Sequence, residues 1–240
     1  HPRVDADRIF VYGWSEGSVV AAALAAERDD IAGVVLQGPV GRPWKELFRG
    51  WFDLSVPYLR RFTPRDDELD GAELGLALRS AASQPVIMTS SMLAVSYTRD
   101  SDIARASPLL DTDRNGRIHI GRELEPRVDD LVELAFGPIG NFLSYAEGNT
   151  LPPVDAQAEG LVGTPVLVLQ GLQDAHTPPE NAERISNALI AAGHRDFHVE
   201  RLEGVGHTLG RANDPVDDLG RPMTGEALQA LTDWLVSHAK

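Results

Sequence analysis

Three short stretches of this sequence carry residue types that can do chemistry together. The first is Gly13-Trp14-Ser15-Glu16-Gly17, a serine flanked by two glycines, between a β-branched and aromatic run and an alanine-rich one. The second is "VLVLQGLQDAHTP", in which Asp174 follows an apolar run. The third is "VERLEGVGHTLG", in which His207 follows another. A serine hydroxyl becomes a nucleophile only when a base takes its proton. A histidine serves as that base when a carboxylate holds its tautomer and steadies its charged form. Ser15, Asp174 and His207 supply the three roles in that chain order. The five-residue pattern around Ser15 would arise by chance in roughly one chain in ten of this length. Its setting gives it weight. A strand before it and a helix after it put the hydroxyl on a sharp corner above the strand ends, and the Glu16 backbone N–H at the helix start then faces a developing oxyanion.

These residues need a scaffold that brings strand ends together. Residues 9–12, Ile31–Gln37, 165–170 and Phe197–Leu202 read as strands, the first three apolar and the last alternating as an outer strand would. Residues 18–28, 181–192 and 225–237 read as helices. Strand and helix alternation with near-continuously apolar strands implies a parallel sheet covered on both faces, whose carboxyl ends converge on one crevice. His176 lies beside Asp174 in the chain and reads as a polar residue on the rim, while His194 and His198 flank a strand start and read as solvated.

The rhythm breaks across residues 41–160, where "PWKELFRGWFDLSVPYLRRF", "DGAELGLALRSA" and "VDDLVELAFG" are helical and aromatic patterns. The expected organisation is a core of residues 1–40 and 161–240 with a mainly helical insertion at 41–160. Aromatic residues of that insertion, among them Trp44, Trp51 and Tyr97, could line an apolar acyl or aryl pocket or form the insertion's own core; Trp14 beside the serine is a further candidate for substrate contact. Within it, "LLDTDRNGRIHIGRELE" places Asp111, Asp113, Asn115 and Gly116 at the first, third, fifth and turn positions of a calcium loop, with the Arg117 carbonyl at the seventh. The twelfth position is Arg122, and Glu123 comes one residue late. A one-residue stretch would let Glu123 reach a Ca2+ ion; the plainer reading is an Asx-rich turn before a short strand.

The motifs "RIFVYGWSEGS", "PVLVLQGLQDAHTP" and "LEGVGHTLG" together resemble the C-terminal part of an α/β-hydrolase, closest to the esterase and serine-aminopeptidase-like branch. The resemblance implies Ser15 as nucleophile, Asp174 as triad acid and His207 as general base. It makes the insertion a lid, and the four strands the fifth to eighth of that fold. Strands one to four and the loop that gives the second oxyanion N–H would then come from elsewhere, and a homodimer or an N-terminal fragment pairing along residues 9–12 is expected. The implied activity is hydrolysis of carboxylic esters through an acyl-enzyme, with no cofactor for catalysis and at most a structural Ca2+. A peptidase, amidase or acyltransferase on the same triad, or a non-catalytic half-domain that assembles with a partner, are the alternatives.

Composition narrows the field. The chain has 240 residues, 42% apolar and 24% charged, enough for a sizeable buried core. It has no cysteine, which removes disulfides, thiolate nucleophiles and Cys-ligated zinc. A formal charge of −14 argues against nucleic acid and anionic membrane as partners, since both demand a basic surface. No run of apolar residues is long enough to span a bilayer, and no signal peptide is visible.

Overall fold

The computed structural model describes residues 5, 8–63, 66–96 and 103–239. In chain order its elements are β1 (Ile9–Trp14), α1 (Gly17–Glu27), β2 (Ile31–Gln37), α2 (Trp44–Arg60), β3 (Glu68–Leu69), α3 (Gly71–Ser80), α4 (Gln84–Ser91), β4 (Ala94–Ser96), β5 (Arg105–Ala106), β6 (Ile118–His119), α5 (Val128–Phe136), β7 (Val166–Gly171), α6 (Glu180–Ala191), β8 (Phe197–Leu202) and α7 (Gly225–His238). They form two compact units, 1–44 with 150–240, and 45–149.

The first unit is built on a four-stranded parallel sheet in the order β1-β2-β7-β8. The two central strands explain the apolar runs. Side chains alternate between faces along a strand, yet Val34, Val35 and Leu36 of β2 and Val166, Leu167, Val168 and Leu169 of β7 are all buried, so both faces are covered. On one face Val35, Leu167, Leu169 and Leu202 pack with Ala227 and Trp234 of α7, and Phe10 meets Trp234 edge-on at 5.8 Å between ring centroids. The other face receives α1, whose alanines allow close approach: Ala21, Ala22 and Ala25 are buried. A 3-10 segment, Val154–Leu161, belongs to this unit as well; Val154 donates its N–H to the Val40 carbonyl at 2.9 Å, and Val154, Ala158 and Leu161 are buried.

The second unit is helical with two minimal antiparallel strand pairs, β3 with β6 and β4 with β5. Asp70 and Glu73 close a reciprocal capping box at the start of α3, which satisfies backbone donors that a helix start otherwise leaves unpaired. The core of the unit is aromatic. Phe48 lies 5.2 Å from Trp51, 5.9 Å from Phe52, 5.7 Å from Phe136 and 4.7 Å from Phe142, ring centroid to ring centroid. No helix among the described residues is long and apolar enough to cross a membrane.

Candidate functional site

The corner at the end of β1 places Ser15 in the left-handed region at φ 54°, a conformation that costs a non-glycine residue free energy and recurs at functional turns. Its two glycines differ. A Cβ on Gly13 would fall 2.3 Å from the Gly17 carbonyl oxygen and 2.6 Å from Ala21 Cβ, whereas one on Gly17 would meet nothing within 4 Å. Only the first glycine is demanded by close approach. Ser15 donates its backbone N–H to the Gln37 carbonyl at 2.9 Å. Glu16 begins the helical turn at φ −51°, ψ −38°, as the N-cap of α1.

Asp174 and His207 emerge from the carboxyl ends of β7 and β8, and His207 Nδ1 is 2.9 Å from Asp174 Oδ2. Both side chains are almost wholly buried. The Asp174 carboxylate is saturated with donors. Oδ1 accepts the N–H groups of His176 at 2.8 Å and Thr177 at 2.9 Å. Oδ2 accepts the Thr177 hydroxyl at 2.8 Å and the Gln170 amide at 3.3 Å, besides His207. So many donors fix the carboxylate's orientation and leave little doubt which oxygen faces the imidazole. Gly38, at φ +47°, gives the pair room: a Cβ there would lie 2.9 Å from both Asp174 Oδ2 and His207 Nδ1.

The serine corner is tied to the histidine by its neighbours. Trp14 donates its indole N–H to the His207 carbonyl at 3.2 Å, and Gln37, whose own carbonyl holds Ser15, donates its side-chain amide to the same oxygen at 3.0 Å. Tyr12 donates its hydroxyl to Gln37 Oε1. Trp14 is 48% exposed and its ring lies 5.5 Å from that of His207, so an apolar surface borders the imidazole on the solvent side.

One expectation about the histidines is corrected. His176 stays partly exposed, and its ring stacks on His207 at 4.3 Å and 15°. His194 is buried rather than solvated, because its ring nitrogens bond the Thr164 carbonyl at 3.0 Å and the Asp196 N–H at 3.1 Å. His198 is exposed. Of the tryptophans named for substrate contact, Trp51 is buried in the aromatic core of the helical unit, and Trp44 is half-buried at the start of α2. Tyr97 lies outside the described residues.

The acidic loop of the helical unit gathers its carboxylates. Asp111, Asp113 and Glu123 each offer an oxygen, and these oxygens lie within 4.8 Å of one another. The one-residue delay of Glu123 has a visible cause: residues Ile120–Leu124 form a π turn, which holds one more residue than an α turn. Asp111 Oδ1 is buried with no hydrogen-bond partner, a costly arrangement that a cation would relieve. Asp111 Oδ2 accepts the Gly116 N–H at 3.0 Å, and Asn115 Oδ1 accepts the Arg117 N–H at 2.7 Å. Glu123 is buried, and burial pushes its carboxyl up. The N–H groups of His119, Thr112 and Asp113 and the Thr112 hydroxyl outweigh this and hold it below the ordinary carboxylate range. Arg122 points to Glu68, 3.5 Å away.

A parallel sheet, a serine at positive φ on the β1–α1 corner, and an acid–histidine pair after β7 and β8 define an α/β-hydrolase type of fold. Among solved structures the chain is similar to a monoacylglycerol lipase from Paleococcus ferrophilus, at 22% identity and a TM-score of 0.41, over 95% of this chain and 68% of the lipase. It is also similar to a puromycin hydrolase, at 18% identity and a TM-score of 0.47, over 99% of this chain and 22% of that one. An acylaminoacyl peptidase from Pyrococcus horikoshii is similar at 11% identity and a TM-score of 0.46, over 100% of this chain and 25% of the peptidase. The chain thus spans about a quarter or less of the length of the two latter proteins. No family model and no curated protein matches it.

Proposed function

We propose that this chain is a serine hydrolase that cleaves carboxylic esters through an acyl-enzyme, with Ser15 as nucleophile, His207 as general base and Asp174 as the acid that orients it. The observation that carries the reading is the buried 2.9 Å contact between His207 Nδ1 and Asp174 Oδ2, on a histidine whose carbonyl is bonded by the residue next to Ser15. With Nδ1–H given to Asp174, the other ring nitrogen, Nε2, carries the lone pair that takes the Ser15 proton. The serine oxygen adds to the ester carbonyl, and the Glu16 N–H faces the resulting oxyanion, assisted by the positive end of α1. The imidazolium then protonates the departing alkoxide. Water repeats the sequence on the acyl-enzyme and regenerates Ser15. The exposed face of Trp14 gives an apolar wall beside the imidazole for the acyl or alcohol portion.

The test is covalent. A fluorophosphonate probe should label Ser15, and Ser15→Ala should abolish both labelling and hydrolysis of p-nitrophenyl butyrate while the melting curve stays unchanged. If Ser15→Ala retains a tenth of the wild-type activity, the assignment is wrong. Absence of labelling in the wild-type chain favours the non-catalytic alternative.

We further propose that Asp111, Asp113, Asn115, the Arg117 carbonyl and Glu123 hold a structural Ca2+ in the helical unit. The buried, unpartnered Asp111 Oδ1 and the convergence of three carboxylates support it. All the donors are hard oxygens, which suit calcium.

A further inference from the structure

His207 also touches a second carboxylate–imidazole pair. Asp218 lies in the stretch between β8 and α7 and is only 4% exposed. Its Oδ2 accepts the N–H of His207 at 2.9 Å and that of Ala175 at 3.3 Å, and stands 3.6 Å from His176 Nδ1. His176 is the residue whose ring stacks on His207. The two N–H donors come from different loops. Ala175 adjoins Asp174 on the loop after β7; His207 lies on the loop after β8. One buried carboxylate therefore grips both loops at the positions where the acid and the base are mounted. Those loops also share the bond from the Gln173 N–H to the Val205 carbonyl at 2.9 Å, but that bond lies outside the two triad members. Space for the carboxylate is provided by Gly206, where a Cβ would fall 2.1 Å from Asp218 Oδ1.

We propose that Asp218 is a positioning residue for the reaction assigned above, setting the distance between Asp174 and His207, with His176 as its third contact and as a stacked support for the His207 ring. This rests on the serine-hydrolase reading for its catalytic consequence. Asp218 does not contact the reacting atoms; it acts through the backbone of the residues that do. The carboxyl is suited to a fixed accepting role. Burial pushes it up, but His176 and the N–H groups of His207 and Ala175 outweigh that and hold it below the ordinary carboxylate range, so it is ionised at neutral pH.

The test combines kinetics with a readout that needs no turnover. A displacement of about 1 Å in a catalytic group can cost roughly a hundredfold in rate. On that scale Asp218→Ala should lower kcat by roughly a hundredfold and Asp218→Asn by roughly tenfold, with KM within about a factor of two. Asparagine keeps one accepting oxygen, which is why the conservative variant should recover about one of the two decades lost. Gly206→Ala should reproduce the Asp218→Ala defect, since its methyl group would displace the carboxylate. The double variant should be no worse than Asp218→Ala alone, because no carboxylate then remains to be displaced. In proton NMR, the downfield signal of the His207 Nδ1–H bonded to Asp174 should be present in the wild-type chain, weakened in Asp218→Asn and lost to exchange in Asp218→Ala. Multiplying losses in the double variant, or an unaltered signal in Asp218→Ala, would overturn the proposal. If Ser15 is never labelled and no ester is cleaved, the function above fails, while the NMR comparison still decides whether Asp218 positions His207.

Discussion

The sheet unit and the helical unit differ in how far their buried polar groups reach along the chain. In the helical unit buried hydroxyls lie against carbonyls one turn back on their own helices, Ser55 at 2.8 Å from the Trp51 carbonyl and Thr89 at 2.7 Å from the Pro85 carbonyl, though these two also meet each other between α2 and α4. Such local bonds follow from helix geometry and specify little beyond it. In the sheet unit the buried polar side chains reach across the sequence. Gln37 donates to the His207 carbonyl, Asn181 accepts the Gly41 N–H, and Asp218 accepts from His207. A buried polar group left unpaired costs about 1–3 kcal/mol, so each of these residues constrains a partner from another strand or loop. The helical unit is held by the bulk of its aromatic core. The sheet unit spends part of its interior on fixing directions.

That contrast predicts which substitutions damage chemistry and which damage stability. The largest effect should come from Asp174→Asn, which preserves shape but favours the wrong histidine tautomer; hydrolysis of p-nitrophenyl butyrate should fall by up to about four decades, with the melting temperature nearly unchanged. A comparable fall in stability instead would mean that the sheet network is structural only. Next is Phe48→Ala, which removes the ring at the centre of the aromatic cluster. It should destabilise the helical unit by about 3–5 kcal/mol, read by calorimetry; a cost under about 1 kcal/mol would show that the aromatics are not its core. The smallest is the response to calcium. At a hundred times its dissociation constant, Ca2+ should stabilise the fold by about 2.7 kcal/mol, raising the melting temperature, and a chelator should reverse this. Asp111→Ala combined with Asp113→Ala should abolish the response. Identical melting curves with calcium and with chelator would leave the loop a simple Asx-rich turn.

Much of the sheet unit was legible in the sequence because its signals are local. The apolar runs of β2 and β7, the glycine–serine corner and the residues just after β7 and β8 each declare themselves within a dozen residues. Asp218 and His176 do not. In "DPVDDLGRP" nothing separates Asp218, which is buried on His207, from Asp217, which pairs with Arg221 on the surface at 3.1 Å. The difference arises only when β7 and β8 pair and bring the loops that follow them together. Gln37 was missed for the same reason: its role comes from a partner far away in the chain. His194 reads as solvated because it flanks a strand start, whereas its ring bonds the Asp196 N–H beside it and the Thr164 carbonyl thirty residues earlier. Glu123 was half-legible. The loop pattern named it as one residue out of place, and only the π turn shows how the chain absorbs that residue.

The pairing of β2 with β7 has a kinetic consequence. Val34 to Gln37 lie against Val166 to Leu169, although the whole of residues 45–149 intervenes. Contacts between residues so distant in sequence are slow to form, because a long loop must close before any strand bond rewards it. A helical unit that folds first, using its own local contacts, would shorten that closure to the distance between its two ends. Ser15, Asp174 and His207, which follow β1, β7 and β8, would then be brought together last, after the insertion has become compact. Refolding followed by tryptophan fluorescence and by recovery of ester hydrolysis should therefore separate into an early phase and a late one, with activity returning only in the second.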